Sequence, residues 1–125
     1  LEEVILTLRH LGGLRGVVHS FAGSQQQAER LWQMGFCLGI GGTVTYPRAQ
    51  RLQRIVANMP SEFLLLESDA PDQPDAAHRG QRNEPARVAV IAQCIATLRA
   101  EPVAAVAAAT SANARRLFRL DQRTP

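Results

Sequence analysis

The sequence predicts an α/β protein built on a parallel sheet. Three short apolar runs, at residues 16–18, 36–40 and 63–66, are each followed by a stretch with helical periodicity. Continuous apolar runs are typical of strands buried on both faces, and their alternation with helices favours parallel strands joined by right-handed crossovers. Polar residues directly follow the first and third runs. The carboxyl ends of parallel strands are where α/β proteins place their chemistry.

The first third of the chain is predicted as helix, strand, helix. Val4–Leu8 has the apolar pattern of the end of a helix, and residues 16–18 form the first strand. Ser24 and Gln27 form a Ser-x-x-Gln capping box, which indicates the start of the second helix. Gly35 is placed to end it.

The middle of the chain is predicted as strand, helix, strand. The second strand, 36–40, leads into Gly41-Gly42, and Pro47 is expected in the first turn of the third helix. The arginines of this segment share a face opposite its apolar stripe and are interpreted as solvent-facing; they are Arg48, Arg51 and Arg54. The third strand is Phe63–Leu66.

A long loop follows the third strand, and loops of this length are commonly functional. Asn83 is predicted to cap the next helix, which has an apolar stripe over 88–95.

The final helical region, 103–120, is alanine-rich. We expect a break near Thr110-Ser111, with Asn113 acting as a helix cap. Residues 121–125 are predicted to be a disordered tail.

Composition limits the classes of protein. The 125 residues suffice for one domain, and 46% hydrophobic with 20% charged residues is typical of a globular chain. No apolar stretch approaches membrane length, and no secretory leader is recognisable, so no membrane contact is expected. Cys37 and Cys94 lie in apolar patterns and are predicted to be reduced, which favours a cytoplasmic location. The net charge of +3 comes from arginine and is weak support for a polyanionic partner.

Two strand ends carry candidate metal ligands. His19 follows the first strand, and Glu67 and Asp69 follow the third. Imidazole and carboxylate groups are common ligands of divalent cations. A single histidine is more often a hydrogen-bonded core residue, and that alternative stays open on spacing alone. Ser20 lies beside His19, but no Gly-x-Ser-x-Gly segment is present, so a Ser-His-Asp triad is rejected.

Five segments, in order, resemble the TatD family of metal-dependent hydrolases, many of which are described as deoxyribonucleases. The segments are Gly16–Gly23, Gly39–Thr45, Leu64–Pro71, Arg82–Ala86 and Ser111–Phe118. The continuation Asp69–Pro74 is similar to the YjjV-like branch of that family. Together the segments cover nearly the whole chain.

The resemblance implies a fold and a ligand set. The family fold is a distorted TIM-like barrel of the amidohydrolase type, and residues 1–120 resemble its last three βα units and carboxyl-terminal helices. His19 resembles the metal-binding histidine of the sixth strand. Asp69 resembles the aspartate of the eighth, which binds metal and takes the proton of the attacking water. One or two divalent ions are implied, with Mg²⁺, Mn²⁺ and Zn²⁺ not distinguished. The His-x-His pair of the family does not occur in this chain.

Three further residues have less definite roles. Strand alternation points Glu67 the same way as Asp69, so Glu67 is expected to orient a ligand or balance charge; a structural salt bridge is the alternative. Arg79 and Arg82 lie in the long loop and are candidates for substrate phosphate contacts, against plain solvent exposure.

The expected function follows from the resemblance. The chain resembles the carboxyl-terminal portion of a hydrolase that cleaves DNA phosphodiesters with metal-activated water, and the isolated chain is expected to be inactive. One alternative is an amidohydrolase or esterase relative. Another is a non-catalytic half-barrel that associates with a missing amino-terminal half or with itself.

Overall fold

The computed structural model describes residues 1–121, in which five helices surround three short strands. The elements, in chain order, are α1 (Glu2–Leu11), β1 (Val17–Val18), α2 (Gln25–Gln33), β2 (Cys37–Ile40), α3 (Gln50–Asn58), β3 (Leu64–Leu66), α4 (Val88–Arg99) and α5 (Val103–Phe118). Short 3-10 turns occupy part of the connections, including Gly42–Thr45 and Pro85–Arg87. The predicted alternation of helices and strands is confirmed.

The three strands form one parallel sheet in the order β1-β2-β3. Val18 of β1 is paired with Leu38 of β2, and Leu38 is also paired with Leu64 of β3. Ile40 is paired with Leu66 at the far end of the sheet. This register places the ends of all three strands at one edge, called the carboxyl edge below.

The core lies between the sheet and the helices. All four residues of β2 are buried, as expected for the central strand of a sheet covered on both faces. Each helix adds at least one fully buried side chain; these include Ile5, Leu31, Ile55, Ile95 and Val106. Their apolar surface, removed from water, is the main stabilising contribution to this arrangement.

The signals at both ends of α2 are confirmed. The Ser24 hydroxyl accepts a hydrogen bond from the Gln27 amide at 3.2 Å, and the Ser24 amide donates to Gln27 Oε1 at 2.9 Å. Gly35 follows the last residues of the helix with φ 87°, a conformation that favours glycine. The two hydrogen bonds between Ser24 and Gln27 satisfy groups that would otherwise be unpaired at the start of the helix.

Two predictions about helix starts and breaks are wrong. Pro47 lies three residues before α3, because a 3-10 turn and a further turn take up the chain first. The region near Thr110-Ser111 contains no break, and α5 is continuous. The Thr110 hydroxyl donates to the Val106 carbonyl at 2.9 Å, so its polar group is satisfied inside the helix.

Asn113 is not a helix cap. It lies within α5, is 3% exposed, and donates through Nδ2 to the carbonyls of Ser61 (2.7 Å) and Leu64 (2.8 Å). The side chain therefore ties α5 to the segment entering β3. The predicted disordered tail, apart from Asp121, lies outside the described residues.

No single helix within residues 1–121 has both the length and the apolar character that a membrane span requires. Residues Pro85–Arg99 and Val103–Phe118 meet the requirement only when taken together, and they are bent by 112° relative to one another. The cytoplasmic location stays a prediction.

Candidate functional site

The carboxyl edge brings His19 and Asp69 to the same end of the sheet. His19 directly follows β1, and Asp69 lies three residues beyond the end of β3. The strands are parallel, and β2 lies between the two outer ones, so the ends of β1 and β3 are about 10 Å apart. Both residues are exposed. The two sequence-predicted ligands thus lie at the same edge of the sheet, with β2 between the strands that carry them.

Glu67 bridges the two outer strands across β2. Its Oε1 accepts hydrogen bonds from both the backbone amide and the hydroxyl of Ser20, the latter at 3.1 Å. Gly39 makes this crossing possible: a Cβ there would overlap Glu67 Oε2 and lie 3.1 Å from the Cα of His19. A carboxylate from the end of β3 therefore holds the backbone immediately after His19.

The strand alternation used to orient Glu67 and Asp69 does not extend to these residues. Strand alternation was expected to give Glu67 and Asp69 a common direction, but β3 ends at Leu66, and Asp69 has φ 55°. The alternation of an extended strand does not continue through a left-handed residue. The ion pairs found within residues 1–121 do not include Glu67, whose partner is Ser20.

The loop that carries Asp69 is held by Asn83. The Asn83 Nδ2 donates to the carbonyls of Ser68 (2.6 Å) and Asp72 (2.7 Å), and its Oδ1 accepts from the Glu84 amide at 2.8 Å. Its backbone amide also donates to a loop carbonyl. The prediction of a helix cap is wrong, because α4 is preceded by a 3-10 turn and Asn83 is buried against the loop.

The same loop is fixed on its other side by the connection after β2. The Tyr46 hydroxyl donates to the Pro74 carbonyl, and the Ala76 amide donates to the Thr45 hydroxyl, both at 2.8 Å. At Gly42, an added Cβ would lie 2.8 Å from the Pro74 carbonyl carbon. The loop therefore crosses directly over this glycine, and contact with a larger residue would displace it.

Asp75 and His78 form a pair that sequence reasoning missed. Asp75 is 2% exposed, and its carboxylate lies 2.8 Å from His78 Nδ1. The spacing i, i+3 in a polar loop was the available signal. The contact stabilises the 3-10 turn at Ala76–His78, and it gives His78 a structural role.

Arg79 and Arg82 are both exposed. The Arg79 guanidinium lies over the Tyr46 ring at 4.7 Å from the centroid, a cation–π contact. Neither arginine lines the two cavities described next, so the structure does not bring them together with His19. Their phosphate-binding role stays a prediction.

Two cavities open at the carboxyl edge. The first, about 410 Å³, is lined by His19, Ser20 and six further residues; the second, about 450 Å³, is lined by Ser20, Thr43, Arg48, Arg51, Gln73 and four others. All three arginines are solvent-exposed, as predicted, but Arg48 and Arg51 also form part of this cavity lining. Arg48 precedes α3, and both line a cavity beside the candidate site.

The residues described do not complete a metal site. No group of three or more His, Cys, Asp or Glu side chains within residues 1–121 is arranged to hold a metal ion. Divalent cations in proteins are held by more ligands than His19 and Asp69 provide. Any metal site at this edge therefore needs ligands from outside the described residues.

The two cysteines are free thiols, as predicted. Burial raises the pKa of Cys37, with the nearby positive charge of Arg116 opposing the shift, and burial also raises the pKa of Cys94. A raised thiol pKa lowers the thiolate fraction, so neither residue has the character of a catalytic nucleophile.

The fold and the carboxyl edge define an α/β protein with a parallel sheet whose polar groups gather where the strands end. Residues 2–119 match the family model described as TatD related DNase, and the chain belongs to this family.

Named relatives agree with this assignment. The chain is 47% identical over 103 residues to the uncharacterized metal-dependent hydrolase YjjV of Escherichia coli K12, covering 82% of the chain and 40% of the relative. The crystal structure of the YjjV TatD homologue from that organism matches with a TM-score of 0.78 at 46% identity, covering 82% and 39%. A protein of Citrobacter rodentium named 3'-5' ssDNA/RNA exonuclease TatD is 39% identical, covering 82% and 41%. The chain thus spans about 40% of the length of these proteins.

Proposed function

We propose that the chain is the carboxyl-terminal part of a divalent-metal-dependent hydrolase that cleaves phosphodiester bonds in nucleic acid. The observation that carries the proposal is the position of His19 and Asp69 at one edge of a parallel sheet. Membership of the family supports the hydrolase class. The name of the Citrobacter rodentium relative supports single-stranded nucleic acid as the substrate class.

In this proposal each residue of the edge has a stated role. His19 and Asp69 are metal ligands, and Asp69 also accepts a proton from water. Glu67 positions His19, because it holds the backbone amide and the hydroxyl of the following residue, Ser20. A bound divalent cation would supply Lewis acidity and lower the pKa of water.

The described part would form the last three βα units of a TIM-like barrel together with its carboxyl-terminal helices. Within residues 1–121, β1 and β3 each have a neighbour on one side only. Large apolar side chains at the start of the chain are exposed, including Leu1 (43%), Val4 (50%), Leu6 (44%) and Leu11 (63%). We infer that the rest of the barrel, or a second copy of the isolated chain, covers this surface.

The test compares the isolated chain with the full-length protein. Each is incubated with single-stranded DNA and added Mg²⁺, Mn²⁺ or Zn²⁺. The full-length protein is expected to cleave DNA, its Asp69→Asn variant to lose at least about 100-fold in rate, and the isolated chain to be inactive because it carries two ligands only. Metal-dependent turnover by the isolated chain, well above its own Asp69→Asn variant, would contradict the proposal.

A second arm separates the bond types. The full-length protein is offered simple amides and esters beside DNA. Hydrolysis of these without cleavage of DNA would favour an amidohydrolase or esterase. Light scattering on the isolated chain tests the covered surface: association is expected, and a compact monomer would count against it.

A further inference from the structure

We propose that Arg48 and Arg51 form a subsite, next to His19, that binds a phosphate group of the substrate. This inference rests on the proposed function, since it names the residues that hold the nucleic-acid backbone. The ligand is the phosphate group of the nucleic acid that lies next to the phosphodiester being cleaved.

The first support is the position of the cavity that the two arginines line. This cavity, about 450 Å³, shares Ser20, Ala22 and Gly23 with the 410 Å³ cavity lined by His19. A polymer lying along the carboxyl edge would therefore pass from one cavity into the other without leaving the surface.

The second support is the state of the two guanidiniums. Neither Arg48 nor Arg51 is paired with a carboxylate in the part of the chain that the structure describes. Arg51 donates one hydrogen bond to the Ala22 carbonyl at 3.0 Å, which anchors it in the loop after β1. Arginine has five donors in a planar fork, so this contact leaves donors for a phosphate.

The third support is the distribution of charge along the edge. The acids Glu67 and Asp69 lie at the end of β3, which suits a cation, whereas the arginines lie beside the start of α3. Thr43 and Gln73, which carry a hydroxyl and an amide, line the cavity together with the two arginines. A phosphodiester bound next to a cation needs such a division of charge. The amino-terminal end of α3 adds positive electrostatic potential near the cavity, but the proposal depends on the two arginines.

Arg54 provides a matched control. It lies on α3, one helical turn after Arg51, and is exposed, but it does not line the cavity. If the arginines acted only through their positive charge, substitution of Arg54 would weaken substrate binding as much as substitution of Arg51. If Arg51 belongs to a subsite, only its substitution should weaken binding.

The experiment uses the full-length protein and its Arg48→Ala, Arg51→Gln and Arg54→Ala variants. The glutamine at position 51 keeps a polar side chain with an amide donor while removing the charge. Two substrates are compared, a single-stranded oligonucleotide and bis(4-nitrophenyl) phosphate, which has no neighbouring phosphate. Thermal unfolding confirms that each variant is folded.

For the oligonucleotide, we expect KM to rise about 3- to 10-fold for Arg48→Ala and for Arg51→Gln, with a smaller change in kcat. The loss in kcat/KM should be larger for the oligonucleotide than for the small diester. The slope of log KM against log salt should fall by about one per arginine removed. Arg54→Ala should match the wild type.

An unchanged KM and salt slope at positions 48 and 51, or an equal effect of Arg54→Ala, would overturn the subsite. If the wild-type protein cleaves neither substrate, the proposed function fails. Fluorescence anisotropy of oligonucleotide binding by the same variants then decides the subsite separately: weaker binding at positions 48 and 51 alone supports it, and equal binding by all variants refutes it.

Discussion

Replacing Asn83 by alanine should loosen the loop that carries Asp69. The side chain is 3% exposed and makes three short hydrogen bonds, to the Ser68 carbonyl (2.6 Å), the Asp72 carbonyl (2.7 Å) and the Glu84 amide (2.8 Å). Alanine keeps the backbone but removes all three. Asn83 therefore tests whether the loop is held by one side chain.

The magnitude follows from what each group can do after the loss. A hydrogen bond contributes about 1 kcal/mol net, and a buried group left unpaired costs about 1–3 kcal/mol. Asp72 is exposed, so its carbonyl can bond to water, whereas Ser68 is half-buried. We therefore expect the closed loop to be destabilised by about 2–3 kcal/mol, the lower part of the range for three lost bonds.

Hydrogen exchange on the full-length protein measures this directly. The Asn83 amide donates to the Pro71 carbonyl at 2.9 Å and reports loop closure. A loss of about 2–3 kcal/mol corresponds to about 30- to 150-fold faster exchange through local opening. An Asn58→Ala variant, which removes only an exposed bond to the Arg54 carbonyl, serves as control. Unchanged protection of the backbone amide at position 83 in the Asn83→Ala variant, after allowance for the intrinsic exchange rate of alanine, would refute the reasoning.

Three further predictions follow from contacts elsewhere. Gly39→Ala should expel the Glu67 carboxylate from its crossing and lower kcat of the full-length enzyme at least about 10-fold, measured with an oligonucleotide. Asn113→Ala should lower the free energy of unfolding by about 2–4 kcal/mol in urea titrations, because two carbonyls lose their donor. Burial raises the thiol pKa of Cys37 and Cys94 above that of the unfolded chain, so alkylation at pH 8 should be slower than for free cysteine.

The thiol shifts also set the sign of a pH dependence. The folded state holds these protons more tightly than the unfolded chain, so the stabilisation is fully present below the unfolded pKa. It is lost as the pH rises through the folded pKa. Stability measured by urea titration should therefore decline in the alkaline range, and a Cys37→Ala/Cys94→Ala variant should show less of this decline.

The predictions for Gly39→Ala, Asn113→Ala and thiol alkylation each have a result that would contradict them. A wild-type kcat in Gly39→Ala would mean that Glu67 can still reach Ser20 when position 39 carries a Cβ. For Asn113→Ala, a loss no larger than that of Asn58→Ala would show that the bonds into the start of β3 contribute little. Alkylation at the rate of free cysteine would contradict burial of the thiols.

The alternation of elements and the edge of the sheet were predictable from the sequence. Apolar runs at 16–18, 36–40 and 63–66 became parallel strands, and the central strand, β2, is buried throughout, as the pattern predicts. Placing His19 and Asp69 at one edge needed only that parallelism. The capping box at Ser24 was readable because its two bonds are local.

Long-range hydrogen bonds account for most of what the sequence did not predict. Asn83 and Asn113 have the residue type of a cap, but their partners are carbonyls 10 or more positions away. Glu67 was assigned by strand alternation, which ends where β3 ends, and its true partner, Ser20, is 47 residues away. Single-sequence patterns carry local information, whereas these contacts are set by which strands become neighbours.

Arg48 and Arg51 were missed for a related reason. The helical spacing separated the arginines from the apolar stripe, but it could not show that Arg48 precedes the helix or that the loop after β1 lies against the start of that helix. The bond from Arg51 to Ala22 spans 29 residues. Only the packed structure separates these two arginines from Arg54.

Metal binding by the full-length protein tests the central claim most directly. The metal content after dialysis, and the affinity for Mn²⁺ and Zn²⁺ by calorimetry, are compared for the wild type, His19→Ala and Asp69→Asn. If the two residues are ligands at one edge of the sheet, each substitution weakens binding at least about 10-fold or removes one bound ion, while the fold is retained. Wild-type metal content and affinity in both variants would contradict the account.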